Sequence, residues 1–499
     1  MKKSEGTQPG LSEPGKESKK GNTRRDFLKK ASIAGAGIMV VPRYVLGGKG
    51  YIAPSDRLVI AGIGVGGKGR SDLSSFYATG KAEIGYLCDV DRQRSAQTVE
   101  TYPNAKFYED WREMFDKEAQ HIDAVSVSTP DHNHAVQAMA AMQLGKHVFV
   151  QKPLTHDVYE ARVLTDAASK YKVVTQMGNQ GASGEGVRLL HEWYDAGLIG
   201  DVHTVQIWTN RPIWQQGIPW PKESPVPDHL NWDLWLGTAT WRHYVEGVAP
   251  SSWRGWWDYG TGALGDLGCH LLEAPFRVLN LKYPLDAQAS VSQVYTGWGE
   301  RGYFPDTPPP ASHATLTFPK TDKTEGNVTI QWMDGGITPP RPPELEEGEQ
   351  FGDGNSGILF IGTKGKMLAD EYARNPRLLP TSRMSEAAAV PQKFARVEGD
   401  SQGHYGQWVE ACLAGYGNME VSSPFELAGP LTEACLMANL AIRVADMPKP
   451  RPDGRGNYYP AKSSELKLLW DHENMRVTNY DDANQFVKRE YRQGWSLGA

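Results

Sequence analysis

From Asp56 onward, short apolar runs alternate with polar stretches of helical character. "RLVIAGIGVGGKGRSDL" is a strand-like run entering a glycine cluster and then a helix-compatible segment, and "KAEIGYLCDVD" is a second run that ends at Asp89. Further on, Ala124–Ser128 reads as a strand, Thr129–Asn133 as a turn and His134–Leu144 as a helix closed by Gly145. The next strand is Val148–Val150, followed by Gln151-Lys152-Pro153. This βαβ rhythm predicts a doubly wound parallel sheet. Beyond residue 175 the pattern changes. Short alternating runs such as "ATLTF" and "NVTIQW", separated by Pro/Gly-rich loops, predict a second, α+β domain with a large open, mostly antiparallel sheet. The expected organisation is a leader over 1–50, a nucleotide-binding domain over 51–175 and a substrate-binding and oligomerisation domain over 176–499.

The leader is polar and Gly/Ser/Lys-rich up to Asn22. "TRRDFLKKASIAGAGIMVV" follows, with Arg24, Arg25, Phe27 and Leu28 in the places of a twin-arginine export signal. Its apolar run, Ala31–Val41, is far short of the roughly 20 residues that span a membrane. The plainer alternative is a disordered basic tail. Export predicts a periplasmic or otherwise exported protein that begins near Leu46–Tyr51. No cysteine precedes Cys88, so lipid anchoring has no support.

The chain has 499 residues and a formal charge of −6, and nothing in this charge balance suggests a nucleic-acid footprint, which would need a concentrated basic surface. Cys88, Cys269, Cys412 and Cys435 are far apart and form no CxxC, so zinc spacing is missing and no metal is expected.

Two glycine frames fit G-x-G-x-x-G: Gly62/Gly64/Gly67 and Gly64/Gly66/Gly69. Such a turn lets phosphate approach the main chain and aims a helix N-terminus at it. Gly64, Gly66, Gly67 and Gly69 are therefore candidate cofactor residues. The second frame gains from Asp89, about 20 residues beyond Gly69, where a carboxylate would take a ribose diol and repel a 2′-phosphate. NAD is favoured, with NADP kept as the minority alternative by the nearby Arg92. Ligands of doubly wound sheets lie at the carboxyl ends of strands. Thr129, Pro130, His134, Gln151 and Lys152 should therefore converge on one crevice.

In "GTGALGDLGCHLLEAPF", Asp266 and His270 are four apart and share a face if the segment is helical. The pair suits acid–base work, with the carboxylate fixing the imidazole tautomer. A buried structural pair is the open alternative, and zinc lacks a third ligand. Nine tryptophans between Trp208 and Trp257, interleaved with Arg211, Arg242 and Arg254, predict a long loop over the cleft. Some of these indoles would pack and some would line a sugar pocket. Arg211, Trp232, Trp235, Arg254 and Trp257 are the candidate substrate residues, together with Asn179 (beside Gln180) and His404.

The ordered set "IGVGGKG…CDVD…STPDHNHA…GKHVFVQKPL" resembles the glucose–fructose oxidoreductase/inositol dehydrogenase (Gfo/Idh/MocA) family, from about Asp56 to the end. "GILFIGTKGKM", "FELAGPLTEACLMANLAIR" and "YRQGW" are similar to its secreted bacterial branch. The resemblance implies an NAD(P)-binding Rossmann domain, and Lys152, Asp266 and His270 as catalytic residues. His270 would take a carbinol proton, Lys152 would stabilise the developing alkoxide and Asp266 would orient its neighbours. One departure stands out: the family's Glu-Lys-Pro is Gln151-Lys152-Pro153 here. A glutamine cannot neutralise the lysine, so either another carboxylate is recruited or the proton traffic differs.

The expected function is an exported NAD(P)-dependent oxidoreductase that acts on a sugar or glycoside and holds its nicotinamide tightly, because free dinucleotide is scarce outside the cytoplasm. It is expected to be a homo-oligomer with no nucleic-acid partner and no membrane span. Two alternatives stay open. One is an NAD-dependent glycosidase or lyase working through a transient keto-sugar; the other is a carbohydrate-binding protein on a retired dehydrogenase scaffold.

Overall fold

The structure is a computed structural model that describes residues 56–464 and 466–498. The expected leader and its arginines lie outside the described residues.

The first apolar runs form strands of one six-stranded parallel sheet: β1 (Leu58–Ile63), β2 (Ala82–Cys88), β3 (Lys106–Tyr108), β4 (Ala124–Val127), β5 (His147–Gln151) and β6 (Thr175–Gly178). Their spatial order is β3-β2-β1-β4-β5-β6, with every pair parallel. The connections are helices α1 (Lys68–Ala78), α2 (Arg92–Thr101), α3 (Trp111–Glu118), α4 (Asp131–Gln143) and α5 (Val158–Tyr171). Both sheet faces are covered, which is why β4 and β5 are almost wholly buried instead of alternating. The strand order reverses between β1 and β4, and a crevice opens there at the carboxyl ends. Helix α4 starts at Asp131, three residues before the expected His134. Pro130 in extended conformation serves as its N-cap, so Asp131, His132 and Asn133 form the first turn.

Asp157 starts α5 with a capping box. Its carboxylate accepts from the Glu160 amide, and the Glu160 side chain accepts from the Asp157 amide.

After α6 (Glu185–Asp195) the chain enters β7 (Val202–Thr209). It then runs mostly without regular structure to residue 261, apart from the short helix α7 (Trp232–Leu236). This tryptophan-rich stretch builds its own small core of Trp232, Trp235, Trp253, Trp256 and Tyr259. Helix α8 (Gly262–Val278) follows. Besides three two-stranded ribbons, the strands that follow are β8 (Asp286–Val291), β9 (Ser312–Phe318), β10 (Val328–Met333), β11 (Ser356–Gly362), β12 (Gly365–Ala369), β13 (Arg377–Leu379), β14 (Leu468–Asp471) and β15 (Arg476–Val477). With β7 they make a nine-stranded sheet in the order β13-β12-β11-β7-β10-β9-β8-β14-β15. Only β7 and β10 pair in parallel; the other neighbours are antiparallel.

Alternate residues of β9 are buried, so one face of this sheet packs on helices. The helices are α8 and α10 (Phe425–Asp446); α10 is nearly all buried because it also packs on α5 of the first domain. Helix α9 (Gly403–Ala414) lies on α1, where Tyr405 and Trp408 meet Phe76 and Phe149. The two sheets thus share a continuous interior, and α8 brings its side chains to the crevice of the first. All four cysteines are buried and free.

Candidate active site

The glycine turn sits between β1 and α1. Gly64 and Gly67 have φ of 78° and 54°, a region L-residues rarely adopt. A Cβ on Gly64 would come within 2.8 Å of the Ser128 carbonyl, and one on Gly69 within 1.9 Å of the Gly64 oxygen. The turn can keep this shape, and so present its amides to a phosphate, only while these positions stay bare. Asp89, at the end of β2, accepts from the amides of Gly66 and Asp91, each at 2.9 Å. Burial pushes its carboxyl up to about 6, against the pull of those two amides. Arg94, absent from the sequence-based candidates, lays its guanidinium over Gly66 and Gly67, a cation placed for a pyrophosphate. Arg92 instead pairs with Glu109 and is largely exposed. Bare glycines, a ribose-ready carboxylate and this cation fit a dinucleotide.

One cleft runs from this turn to the reactive end. Its lining includes Gly64, Gly66, Asp89, Thr129, Pro130, Gln151, Lys152, Arg254 and His270. Lys152 Nζ lies 2.7 Å from Asp266 Oδ1 and also bonds the Asp266 carbonyl oxygen. Arg211 and Arg254 approach the same carboxylate at 3.3 Å each. Burial alone would raise the Asp266 carboxyl, but Lys152 and Arg254 hold it well below the usual carboxylate range. Asp266 is thus the counter-charge that Gln151 cannot supply.

His270, one turn along α8, is buried. Its Nδ1 lies 2.7 Å from Asn179 Oδ1. The orientation of that amide is fixed, because Asn179 Nδ2 donates to the Cys269 carbonyl at 3.0 Å and to Glu273 Oε2 at 2.8 Å. Both are pure acceptors, so Oδ1 must face the histidine and Nδ1 must carry the proton. Nε2 is then the basic atom. Burial, reinforced by Lys152, pushes the His270 pKa well below its ordinary value, so the ring is neutral at pH 7. Tyr372 covers the ring, with centroids 4.4 Å apart, and holds a left-handed φ of 61°, a strained conformation for an aromatic residue.

Gln151 faces away from the lysine's charge. Its Nε2 donates to Asp72 Oδ2 at 2.8 Å. Asp72, fully buried on α1, also accepts from Ser128 Oγ and Tyr405 OH at 2.9 Å each, and from Lys68. Tyr405 OH in turn accepts from Lys68 at 2.7 Å and from Gln180 at 2.8 Å. A glutamate at 151 would point a second buried carboxylate at Asp72.

The other candidates divide. Trp235 lines the cleft, and Trp232 stacks behind it at 4.6 Å with its indole N–H on the Arg242 carbonyl. Trp257 is turned away, against Arg443. His134 and His404 do not reach the cleft. His134 is buried with its ring nitrogens on the Pro153 and Thr129 carbonyls, and His404 is held between the Met177 carbonyl and Ser183. Asn179 is fully buried and touches His270 instead of open space. Asp72, Lys68, Arg94, Tyr372, Trp111 and Trp495 escaped sequence reasoning; only Lys68, inside the glycine turn, carried a local signal. Among the described residues, no three His, Cys, Asp or Glu side chains gather as a metal site.

Two family models match the chain. Residues 57–179 match "Oxidoreductase family, NAD-binding Rossmann fold", and residues 194–290 match the same family's "C-terminal alpha/beta domain". Those two stretches carry the paired domains of the Gfo/Idh/MocA oxidoreductase family. It is 33% identical over 171 residues to glycosyl hydrolase family 109 protein 1 of Shewanella sp. (strain ANA-3), covering 30% of this chain and 37% of the relative. It is 23% identical over 212 residues to levoglucosan dehydrogenase of Pseudarthrobacter phenanthrenivorans, covering 42% and 45%. The aligned portion spans less than half the length of these curated relatives. Among solved structures, the WlbA dehydrogenase from Bordetella pertussis in complex with NADH and UDP-GlcNAcA superposes with a TM-score of 0.54 at 15% identity. That match covers 83% of this chain and 99% of the other. A levoglucosan dehydrogenase complex with NADH and levoglucosan gives 0.52 at 16% identity, over 77% and 97%. At these identities the structural likeness establishes the fold, while the family models establish an NAD-binding Rossmann domain.

Proposed function

We propose that this protein is an exported NAD-dependent oxidoreductase acting on a ring carbinol of a sugar or glycoside. The observation that carries this reading is the pairing of His270 Nε2, an acceptor with a fixed tautomer, with Lys152 Nζ in one cleft continuous with the glycine turn. Gly64, Gly66, Asp89 and Arg94 would hold the dinucleotide; when bound, it supplies the hydride acceptor and donor. His270 takes the hydroxyl proton, and its neutrality at pH 7 leaves that lone pair available. Lys152 donates to the same oxygen and stabilises negative charge as it develops. Asp266 holds Lys152 in place, and the indole of Trp235 offers a flat face at the cleft wall.

A second reading is favoured by the similarity to glycosyl hydrolase family 109 proteins: oxidation is transient, aglycone leaves from the keto-sugar, and the hydride returns. The retired-scaffold alternative has little support, since base, lysine and glycine turn all share one cleft. Incubating the holoprotein with a glycoside panel, with mass spectrometry of the products, tests the proposal. Keto-sugars accumulating with reduced dinucleotide support net oxidation, and free aglycone with unchanged dinucleotide absorbance supports the second reading. No product from any glycoside, with dinucleotide bound, would sink both.

A further inference from the structure

The end of the cleft beyond β2 is lined by parts of the chain remote in sequence. The loop before α7 lies across the end of β2: the Asn231 amide donates to the Val90 carbonyl and the Arg92 amide to the His229 carbonyl, both at 2.9 Å. Leu230, Leu234 and Trp235 then line the cleft from above. Segment 487–498 adds a second bar. Arg489 pairs with Glu160 at 2.8 Å, and Tyr491 OH donates to the same carboxylate at 2.6 Å. Arg492 donates to the Asp233 and Gly237 carbonyls at 2.8 and 3.1 Å, and its amide donates to the Thr238 carbonyl at 3.0 Å. Gln143, on α4, donates to the Gly498 carbonyl. Between these anchors Trp495 reaches the cleft lining beside Trp111, with ring centroids 6.3 Å apart and planes at 49°. Arg112 lies 4.5 Å over the Trp495 ring.

We propose that segment 487–498 is a strap that retains the dinucleotide, with Trp495 and Trp111 together forming the adenine contact. The placement follows from topology. Phosphate belongs at the glycine turn and the ribose on Asp89, so the base lies beyond β2, toward the start of α3, where Trp111 stands. Two indoles set at an angle make a notch for a flat aromatic ring, and base–indole stacking is sequence-remote from every motif that binds the phosphates. A dinucleotide seated there leaves only when the strap or the 229–235 loop lifts. Retention through a catalytic cycle, whichever second substrate reoxidises it, would then be built into the fold.

The test uses full-length protein stripped of nucleotide and measures the binding and release of NADH and ADP-ribose by tryptophan fluorescence, with W495L and W495F compared to native. Both variants keep a large apolar side chain, and far-UV circular dichroism and melting temperature establish that they fold. W495L is expected to raise Kd about 5- to 150-fold, the loss of one base–aromatic stack, chiefly through faster release, with W495F close to native. ADP-ribose, which lacks nicotinamide, should show the same loss. Overturning results are W495L releasing both ligands at the native rate, or W495F as weak as W495L.

Discussion

Gln151 Nε2 donates to Asp72 Oδ2 at 2.8 Å, in the position where relatives bearing Glu-Lys-Pro carry a carboxylate. A buried carboxylate on α1 already faces this strand end, and the amide is the side chain that tolerates it. Q151E would set two buried carboxylates against each other and should cost about 3 kcal/mol or more of stability. In the double variant Q151E/D72N, the amide introduced on α1 can donate to the new carboxylate, so the melting temperature should recover by more than half. A Q151E protein as stable as native would show that Asp72 does not dictate the glutamine.

His270→Ala should lower kcat/KM by about 10²–10⁴-fold while leaving dinucleotide binding unchanged, as expected for a group that acts on the substrate proton. Asn179→Ala frees the imidazole tautomer and should fall between native and His270→Ala. Steady-state kinetics and a dinucleotide titration on the same preparations separate the two roles.

The acid side of the rate profile reports His270. Its pKa is depressed by burial and by Lys152, so protonation that removes the base occurs below the ordinary 6.5. The rate should hold level from neutrality down past pH 6.5 and decline only at lower pH. A decline centred above 7 would contradict the neutral, buried base.

Asp89 makes a separate pH prediction. With its carboxyl near 6, protonation below that pH removes acceptor capacity, so NAD should bind progressively more weakly as pH falls through about 6. D89N should abolish that dependence and narrow the preference for NAD over NADP about tenfold, the difference between a charge-assisted and a neutral hydrogen bond. Equilibrium binding of both dinucleotides from pH 5 to 8 checks it.

Export predicts that replacing Arg24 and Arg25 by lysine leaves the protein inside the cytoplasm; cell fractionation reads the outcome.

The parts of the site legible in the sequence were those encoded by local spacing. The glycine turn, Asp89 and the strand that ends just before Lys152 each follow from a few neighbouring residues, and the i,i+4 pair Asp266/His270 needed only a helix to share a face. What escaped, the role of Asn179 included, was set by contacts between distant segments. Asn179 is 91 residues from the histidine it orients, Asp72 is 79 residues from Gln151, and Trp495 reaches Trp111 from the far end of the described chain. His134 reads as a cleft residue because it follows the carboxyl end of β4, and His404 because it stands at the start of a helix. Nearby carbonyls, which no side-chain pattern reveals, satisfy them in the interior instead.

Hydride transfer to the bound cofactor is the claim on which the rest depends, and isotope transfer measures it directly. The holoprotein is incubated with ring-deuterated glycosides, denatured, and its nicotinamide analysed by mass spectrometry, in parallel with His270→Ala. The account predicts a one-dalton gain in the native protein's reduced nicotinamide and little or none in the variant. Unlabelled nicotinamide in native protein that has turned over substrate, or equal labelling in the variant, would contradict it.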